Sequence, residues 1–370
     1  MRRLIEHAAP RVLGAASSPV GLHLGGERLS AAQMQRTPTG AAIQSVGSLE
    51  LGCPWYAMLA EPRRFRRALD QFWHEHGFRG RQVVAAMPQE QLKVFTVEYT
   101  ATQGQSDAEA VASEVRERLK SKGRNLVVDF VPVRQASPDE RSREAVVAAA
   151  AREDVTAFLD LLGNAGLQVQ ALDIAGMALK RVVTSLEPET GPDMQSALLI
   201  YVGATSSQLM VVWGRRLMLD RSIEFSEERL VARVTRLLEL PEHAAKRLLA
   251  EYGVRAMQGP HQGEMDAVLR EIVGSELQQL KAEASKTLHY AASRTRGNGV
   301  DRILLVGAVG RFPGIAEVLS AGLGKAVGIL DPLSAFSHNL TKEEAAVLSP
   351  HYGVAVALGL ALRGLSGPGR

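Results

Sequence analysis

Arg302-Ile-Leu-Leu-Val306-Gly307-Ala308-Val309-Gly310-Arg311-Phe312-Pro313-Gly314-Ile315 is the stretch that decides the fold. Arg302–Val306 predicts a strand buried on both faces. Its end is a turn punctuated by Gly307, Gly310 and Gly314, and the apolar segment Ile315–Leu323 that follows predicts a helix. Glycine lets backbone approach a ligand closely, and free N–H groups in such turns cradle anions. Two further turns share this plan. Leu24-Gly25-Gly26-Glu27 follows the strand Val20–Leu24, and Val202-Gly203-Ala204-Thr205-Ser206-Ser207 follows the strand Ala197–Val202. Each alone is an ordinary tight turn. Together, one near the start of each half and one late in the second, they form a pattern.

Outward from these turns the chain divides into two halves of similar plan. In the first, Pro62–His76 predicts a helix with Phe65, Leu69 and Phe72 on one face, and Gln82–Met87 a buried strand ended by Pro88. Leu92–Tyr99 alternates as a strand. Ser106 and Glu109 form a capping box for a helix lined by Val111, Val115 and Leu119. Asn125–Val133 predicts a strand. Glu144–Ala151 reads as a small-residue strand, with a helix as the alternative. Arg152–Leu162 predicts a helix and Leu167–Ile174 a strand. Leu186–Gln195, with its prolines and glycine, is the expected linker.

The second half opens with three strands, Ala197–Val202, Gln208–Trp213 and Arg216–Ser222. Pro241 opens a helix, and a capping box of Ser275 and Gln278 is expected to open a long helix running to about Arg294. Val327–Leu330 predicts a last strand and Tyr352–Leu365 a close-packing helix. The expected organisation is an extension at 1–18, a first lobe at 19–91, 163–190 and 340–365, an inserted subdomain at 92–162, a second-lobe core at 191–225 and 298–339, and a helical subdomain at 226–297. Two similar halves joined by a linker point to a duplication with a cleft between them, where ligands of open α/β sheets gather.

Composition narrows the classes. A chain of 370 residues exceeds one simple core, and 46% hydrophobic with 22% charged residues is a globular balance. The longest weakly polar stretch, Tyr352–Leu362, is too short to span a bilayer. The single Cys53 excludes an internal disulfide. A net charge of +3, with no Lys/Arg run interleaved with aromatics, speaks against nucleic-acid binding. The basic clusters Arg63–Arg67 and Arg2–Arg3 read as solvated faces, with an anionic membrane surface or an acidic partner as the sharper alternative.

Several chemistries are missing. Gly322-Leu-Gly324-Lys325-Ala326 fails the spacing and the hydroxyl of a P-loop. His74-Glu75-His76 places its histidines two apart, on different sides of a helix, so it does not read as a metal site. No serine elbow or cysteine nucleophile stands out. The sequence offers no catalytic residues and no metal ligands.

The three turns resemble those of the actin-like superfamily, an α/β, ribonuclease H-like two-lobed fold with a duplicated mixed sheet-and-helix core. Within it the chain, from about Val20 to Leu362, is similar to the PilM family of type IV pilus assembly proteins, related to FtsA. Gly307–Gly314 resembles the family's adenosine turn. Glu283-Ala-Ser-Lys286-Thr287-Leu288-His289-Tyr290 resembles its helix beside the nucleoside, and Leu172-Asp173-Ile174 the strand that closes the first lobe. The insert fits the small subdomain of PilM and FtsA. The resemblance implies a nucleotide site at Gly25, Gly26, Gly203, Ala204, Thr205, Ser206, Glu283, Lys286, Gly307, Ala308 and Gly310.

One departure changes the functional expectation. Members that bind nucleotide with magnesium carry an aspartate in each phosphate turn. His23-Leu24-Gly25 and Tyr201-Val202-Gly203 stand there in this chain. Magnesium needs hard oxygen ligands, and phosphoryl transfer rests on positioning and electrostatics. The expected occupant is therefore none, or ATP or ADP without magnesium. The resemblance implies a cytoplasmic scaffold at the inner membrane of a type IV pilus or related secretion platform. Its partners would be the cytoplasmic tail of a PilN-like membrane protein, other platform proteins and a second copy of itself. Leu92–Tyr99 and Pro62–His76 would border the tail's groove. The alternatives are an active actin-fold ATPase or kinase, for which the carboxylates are missing, and an FtsA-like membrane filament. The filament would need a C-terminal amphipathic helix where Leu365-Ser-Gly-Pro-Gly-Arg370 stands.

Overall fold

The computed structural model describes residues 17–366 apart from 39, 103, 121–124, 134–141, 187–195, 255–262, 296, 298 and 350. The expected extension and linker fall almost wholly outside the described residues. The chain forms two units, Met1–Pro188 with Pro332–Arg370, and Glu189–Asp331.

The first unit begins with β1 (Val20–Gly25), β2 (Arg28–Thr37), β3 (Gly40–Glu50), α1 (Pro62–Glu75) and β4 (Gln82–Ala86). It continues through β5 (Lys93–Tyr99), α2 (Asp107–Arg118), β6 (Leu126–Pro132), β7 (Arg143–Ala151), α3 (Arg152–Asn164), β8 (Gln168–Asp173) and α4 (Ala175–Ser185). The second unit holds β9 (Ser196–Val202), β10 (Ser207–Trp213), β11 (Arg216–Ile223), α5 (Glu227–Leu238), α6 (Glu242–Glu251), α7 (Gly263–Arg294), β12 (Arg302–Val306), α8 (Ile315–Leu323) and β13 (Val327–Ile329). The chain then returns to the first unit with α9 (Lys342–Leu348) and α10 (Tyr352–Ser366).

Both main sheets follow one plan. Their orders are β3-β2-β1-β4-β8 and β11-β10-β9-β12-β13. In each, the first three strands pair antiparallel and the remaining two join in parallel. Parallel joints need crossovers, so helices must lie between those strands. The third sheet, β5-β7-β6, is antiparallel and carries α2 on one face; Val97, Tyr99, Ala145 and Val147 meet Val111 and Val115 there. The capping box Ser106–Glu109 is formed as expected.

The first sheet lies between two helical layers. On one side Phe65, Leu69 and Phe72 of α1 share a core with Phe158, Leu161 and Leu162 of α3. Each such side chain contributes roughly 1.5–3 kcal/mol by burial. On the other side α10 approaches at backbone distance: a Cβ on Gly21 would lie 2.0 Å from the Ala357 carbonyl oxygen. At Gly359 a Cβ would lie 2.0 Å from the Ala178 carbonyl oxygen of α4. Asp173, at the end of β8, fastens the same side by pairing with Arg181 of α4 and Arg363 of α10.

Four differences from the sequence reading have physical causes. β2 and β3 were not expected, because their alanines, serines and glutamines lack apolar alternation. Buried Gln33 is held instead by bonds to the Ser18 and Arg79 carbonyls and from the Arg79 N–H. α7 runs through Ser275 and Gln278 rather than starting there. Leu269, Ile272, Val273, Leu277 and Leu280 continue one buried face across that point, and a capping pattern has no effect inside a helix that is already formed. Third, α3, read as part of the insert, meets β6 and β7 of the inserted sheet and also packs against α1 and β8, with its apolar face in the first unit's core. Finally, residues 332–339, read with the second lobe, group with the first unit, where Leu333 and Phe336 pack near Val182 and Leu358.

Candidate functional site

In the first unit, β1 turns into β2 at Gly25 and Gly26, and Gly26 has a φ of +58°. The Gly26 carbonyl accepts from the Trp55 N–H. His23, two residues before Gly25, lies over the turn: a Cβ on Gly25 would sit 2.6 Å from His23 Cε1. The imidazole also meets the Tyr352 ring edge-on at 5.3 Å between centroids, and a Cβ on Gly353 would lie 3.1 Å from its Nδ1. Burial lowers the His23 pKa to about 4, so the ring is neutral at physiological pH. The residue as a whole keeps some exposed surface.

The second unit repeats the device with another ring. A Cβ on Gly203 would lie 2.3 Å from the Tyr201 hydroxyl oxygen and 2.5 Å from the Ser206 carbonyl oxygen. The Gly203 N–H donates back to Ser206 within the turn. The Gly203 and Ala204 carbonyls accept from the Glu227 and Glu228 N–H groups, and the Ser226 side chain caps Arg229 N–H. Those are the first N–H donors of α5. A helix start offers such donors to an anion, and in α5 they are spent on the protein itself. Ala204 and Thr205 are exposed at the tip.

Parallel pairing of β12 with β9 brings the third turn beside the second. Val306 pairs with Tyr201, and a Cβ on Gly307 would lie 2.2 Å from the Val202 carbonyl oxygen and 3.5 Å from Tyr201 Cδ2. Gly307 has a φ of +105°, which favours glycine independently. Ala308 opens a single 3-10 turn that closes when Gly310 N–H donates to the Gly307 carbonyl. The Val254 N–H fastens the far end to the Pro313 carbonyl. A groove of about 530 Å³ runs along the α8 and β13 side of this turn, past Gly310, Arg311 and Gly314.

Glu283 and Lys286 of α7 satisfy each other at 2.6 Å. Arg221 of β11 adds a second bond to the Glu283 carboxylate at 2.9 Å and also donates to the Glu283 carbonyl and the Thr287 hydroxyl. Lys286 and then Arg221 hold the Glu283 carboxyl below its ordinary pKa. The second unit thus brings Gly203 and Gly307 together through Tyr201, and Glu283 and Lys286 together through their own ion pair. Gly25 and Gly26 belong to the other unit.

Sequence reasoning missed two features. Arg221 had no motif around it. Asp220 and Gln208 are fully buried on neighbouring strands, and neither side chain has a hydrogen-bond partner among the described residues. Register pairs Gln208 with Ser222 and Met210 with Asp220, so the two share a sheet face diagonally. Burial pushes the Asp220 carboxyl up to about 7. Among the described residues no group of three or more His, Cys, Asp or Glu side chains could hold a metal, and no single helix is long and apolar enough to cross a membrane.

α1 lies against α3 and the 3-10 turn Trp55–Leu59, whereas α3 is the helix that meets β6 and β7 of the inserted sheet.

Comparison with known proteins gives these observations a context. The family model described as "Type IV pilus assembly protein PilM" matches residues 21–365. Among solved structures, a PilM-PilN type IV pilus biogenesis complex chain aligns with a TM-score of 0.74 at 23% identity, covering 96% of this chain and 99% of that one. The ethanolamine utilization protein EutJ from Carboxydothermus hydrogenoformans aligns with a TM-score of 0.52 at 12% identity, covering 95% and 92%. The fold is actin-like.

Proposed function

Because the chain belongs to the PilM family of type IV pilus assembly proteins, we propose that it is a non-catalytic scaffold of a pilus or related secretion platform. In this reading it binds a PilN-like partner at the cytoplasmic face of a membrane and does not hydrolyse ATP. The partnership follows the solved PilM-PilN complex. The observation that carries the loss of catalysis is the pair of rings, His23 and Tyr201, each lying over the glycine turn of its own unit. A neutral imidazole and a phenol supply no carboxylate where magnesium or its waters would need one. With the donors at the start of α5 also engaged, the residues present do not fit a magnesium–triphosphate group. Any adenine nucleotide would be held through the Gly307–Gly314 side alone and without metal.

The partner's tail would dock on the first unit, where the inserted sheet adjoins α3. On the sheet face turned away from α2, Val127 and Val131 are half-buried. Isothermal titration of the full chain with a synthetic PilN-like tail tests this. Binding should occur equally with and without ATP, and Val131→Arg should weaken it at least tenfold. Binding that requires MgATP would overturn the reading.

A further inference from the structure

The outward surface of the α1–α3 layer is charged in an ordered way. α1 buries Phe65, Leu69 and Phe72, which turns Arg63, Arg67 and His74 outward. The acids of this helix are engaged within the protein: Asp70 with Arg81 and Arg66, Glu75 with Gln71, and Glu61 with Arg64. Arg63 and Arg67 are exposed, one helical turn apart, and have no partner among the described residues. α3 shows the converse. Burial of Phe158, Leu161 and Leu162 turns Glu153 and Asp160 outward, two turns apart, again exposed and without a partner among the described residues. Arg152, at the edge of α3, is the exception in sign.

The two ridges are neighbours and run in the same direction. Each helix leads into a strand of the parallel set β4–β8 from the same side of the sheet, and both bury their apolar faces in one core. Beside them, Tyr56 and Leu59 of the 3-10 turn are 56% and 39% exposed. A surface with a basic ridge beside a parallel acidic ridge is complementary to itself. A two-fold axis parallel to the helices lays each basic ridge on the acidic ridge of the other copy, twice over.

We propose that this α1–α3 surface is a self-association interface between two copies of the chain, paired α1 on α3 in both directions. It does not rest on the pilus reading. Helices of this length span roughly 20 Å, so the two ridges cover roughly 400 Å² per copy, about half of a standard interface. Association should therefore be weak, dependent on concentration and sensitive to salt.

Sedimentation of the full chain at low and high salt tests this, using two charge-reversed variants. Arg63→Glu with Arg67→Glu, and separately Glu153→Arg with Asp160→Arg, should each lower association at least tenfold. An equimolar mixture of the two should restore it, because each copy then presents what the other needs. Thermal melts check that the variants fold; Arg63→Gln with Arg67→Gln replaces any that does not. A wild-type chain that stays monomeric at low salt would overturn the proposal, as would reversed variants that associate like wild type or a mixture that stays monomeric. Pelleting of a monomeric chain with phosphatidylglycerol vesicles, lost in the Arg63→Glu, Arg67→Glu variant, would assign the basic ridge to a bilayer and also overturn it.

Discussion

Two sheets with one strand order bury titratable groups of opposite kinds. The first unit encloses a base, His23, whose pKa is lowered to about 4; the second buries an acid, Asp220, whose pKa is raised to about 7. In both cases loss of hydration disfavours the charge. The consequences for stability run in opposite directions. His23 is depressed from 6.5 to about 4, so the unfolded chain binds the extra proton between those values, and stability from this group falls as pH drops from about 6.5 towards 4. Asp220 is raised from 3.8 to about 7, so the folded chain binds the extra proton, and stability from this group falls as pH rises from about 4 towards 7. The duplicated fold thus tolerates quite different chemistry in its two copies, with burial favouring the uncharged form of each group.

The strongest way to break this comparison is at the turns. Gly307→Val combines a φ of +105° with a clash on the Val202 carbonyl. A loss of about 4 kcal/mol or more is expected, read as a lower midpoint in chemical denaturation. Next is the buried acid. Asp220→Asn should remove this group's loss of stability between about pH 4 and pH 7, leaving the variant more stable than wild type at pH 8 by up to about 4 kcal/mol. Replacement of the base, His23→Phe, should remove about 2–3 kcal/mol of acid sensitivity between pH 4 and 6.5. In the wild type, the His23 imidazole resonance should stay at its neutral shift down to about pH 5. The smallest effect is at the first turn. Gly26 also has positive φ but open space around a Cβ, so Gly26→Ala should cost only about 1 kcal/mol.

The legible parts of the fold were those written in local pattern. The resemblance to the actin-like class and to the family rests on strands that end in glycine turns at Gly25, Gly203 and Gly307. α1 followed from Phe65, Leu69 and Phe72 at helical spacing. What sequence did not show depends on partners far along the chain. β2 is held by Gln33 reaching Arg79, 46 residues away. Glu283 meets Arg221 across 62 residues. Ser275 and Gln278 carry a genuine start signal that the apolar face from Leu269 to Leu280 overrides. That His23 and Tyr201 precede the glycine turns could be read directly. That their rings also fill the space over Gly25 and Gly203 needed the third dimension.

In the proposed function this chain keeps the shape of an actin-like fold without a metal-dependent nucleotide site. Calorimetric titration of the full chain with ATP, once with magnesium and once with a chelator, tests it most directly. The same weak heat, or none, is expected in both. Tight binding that appears only with magnesium would contradict it.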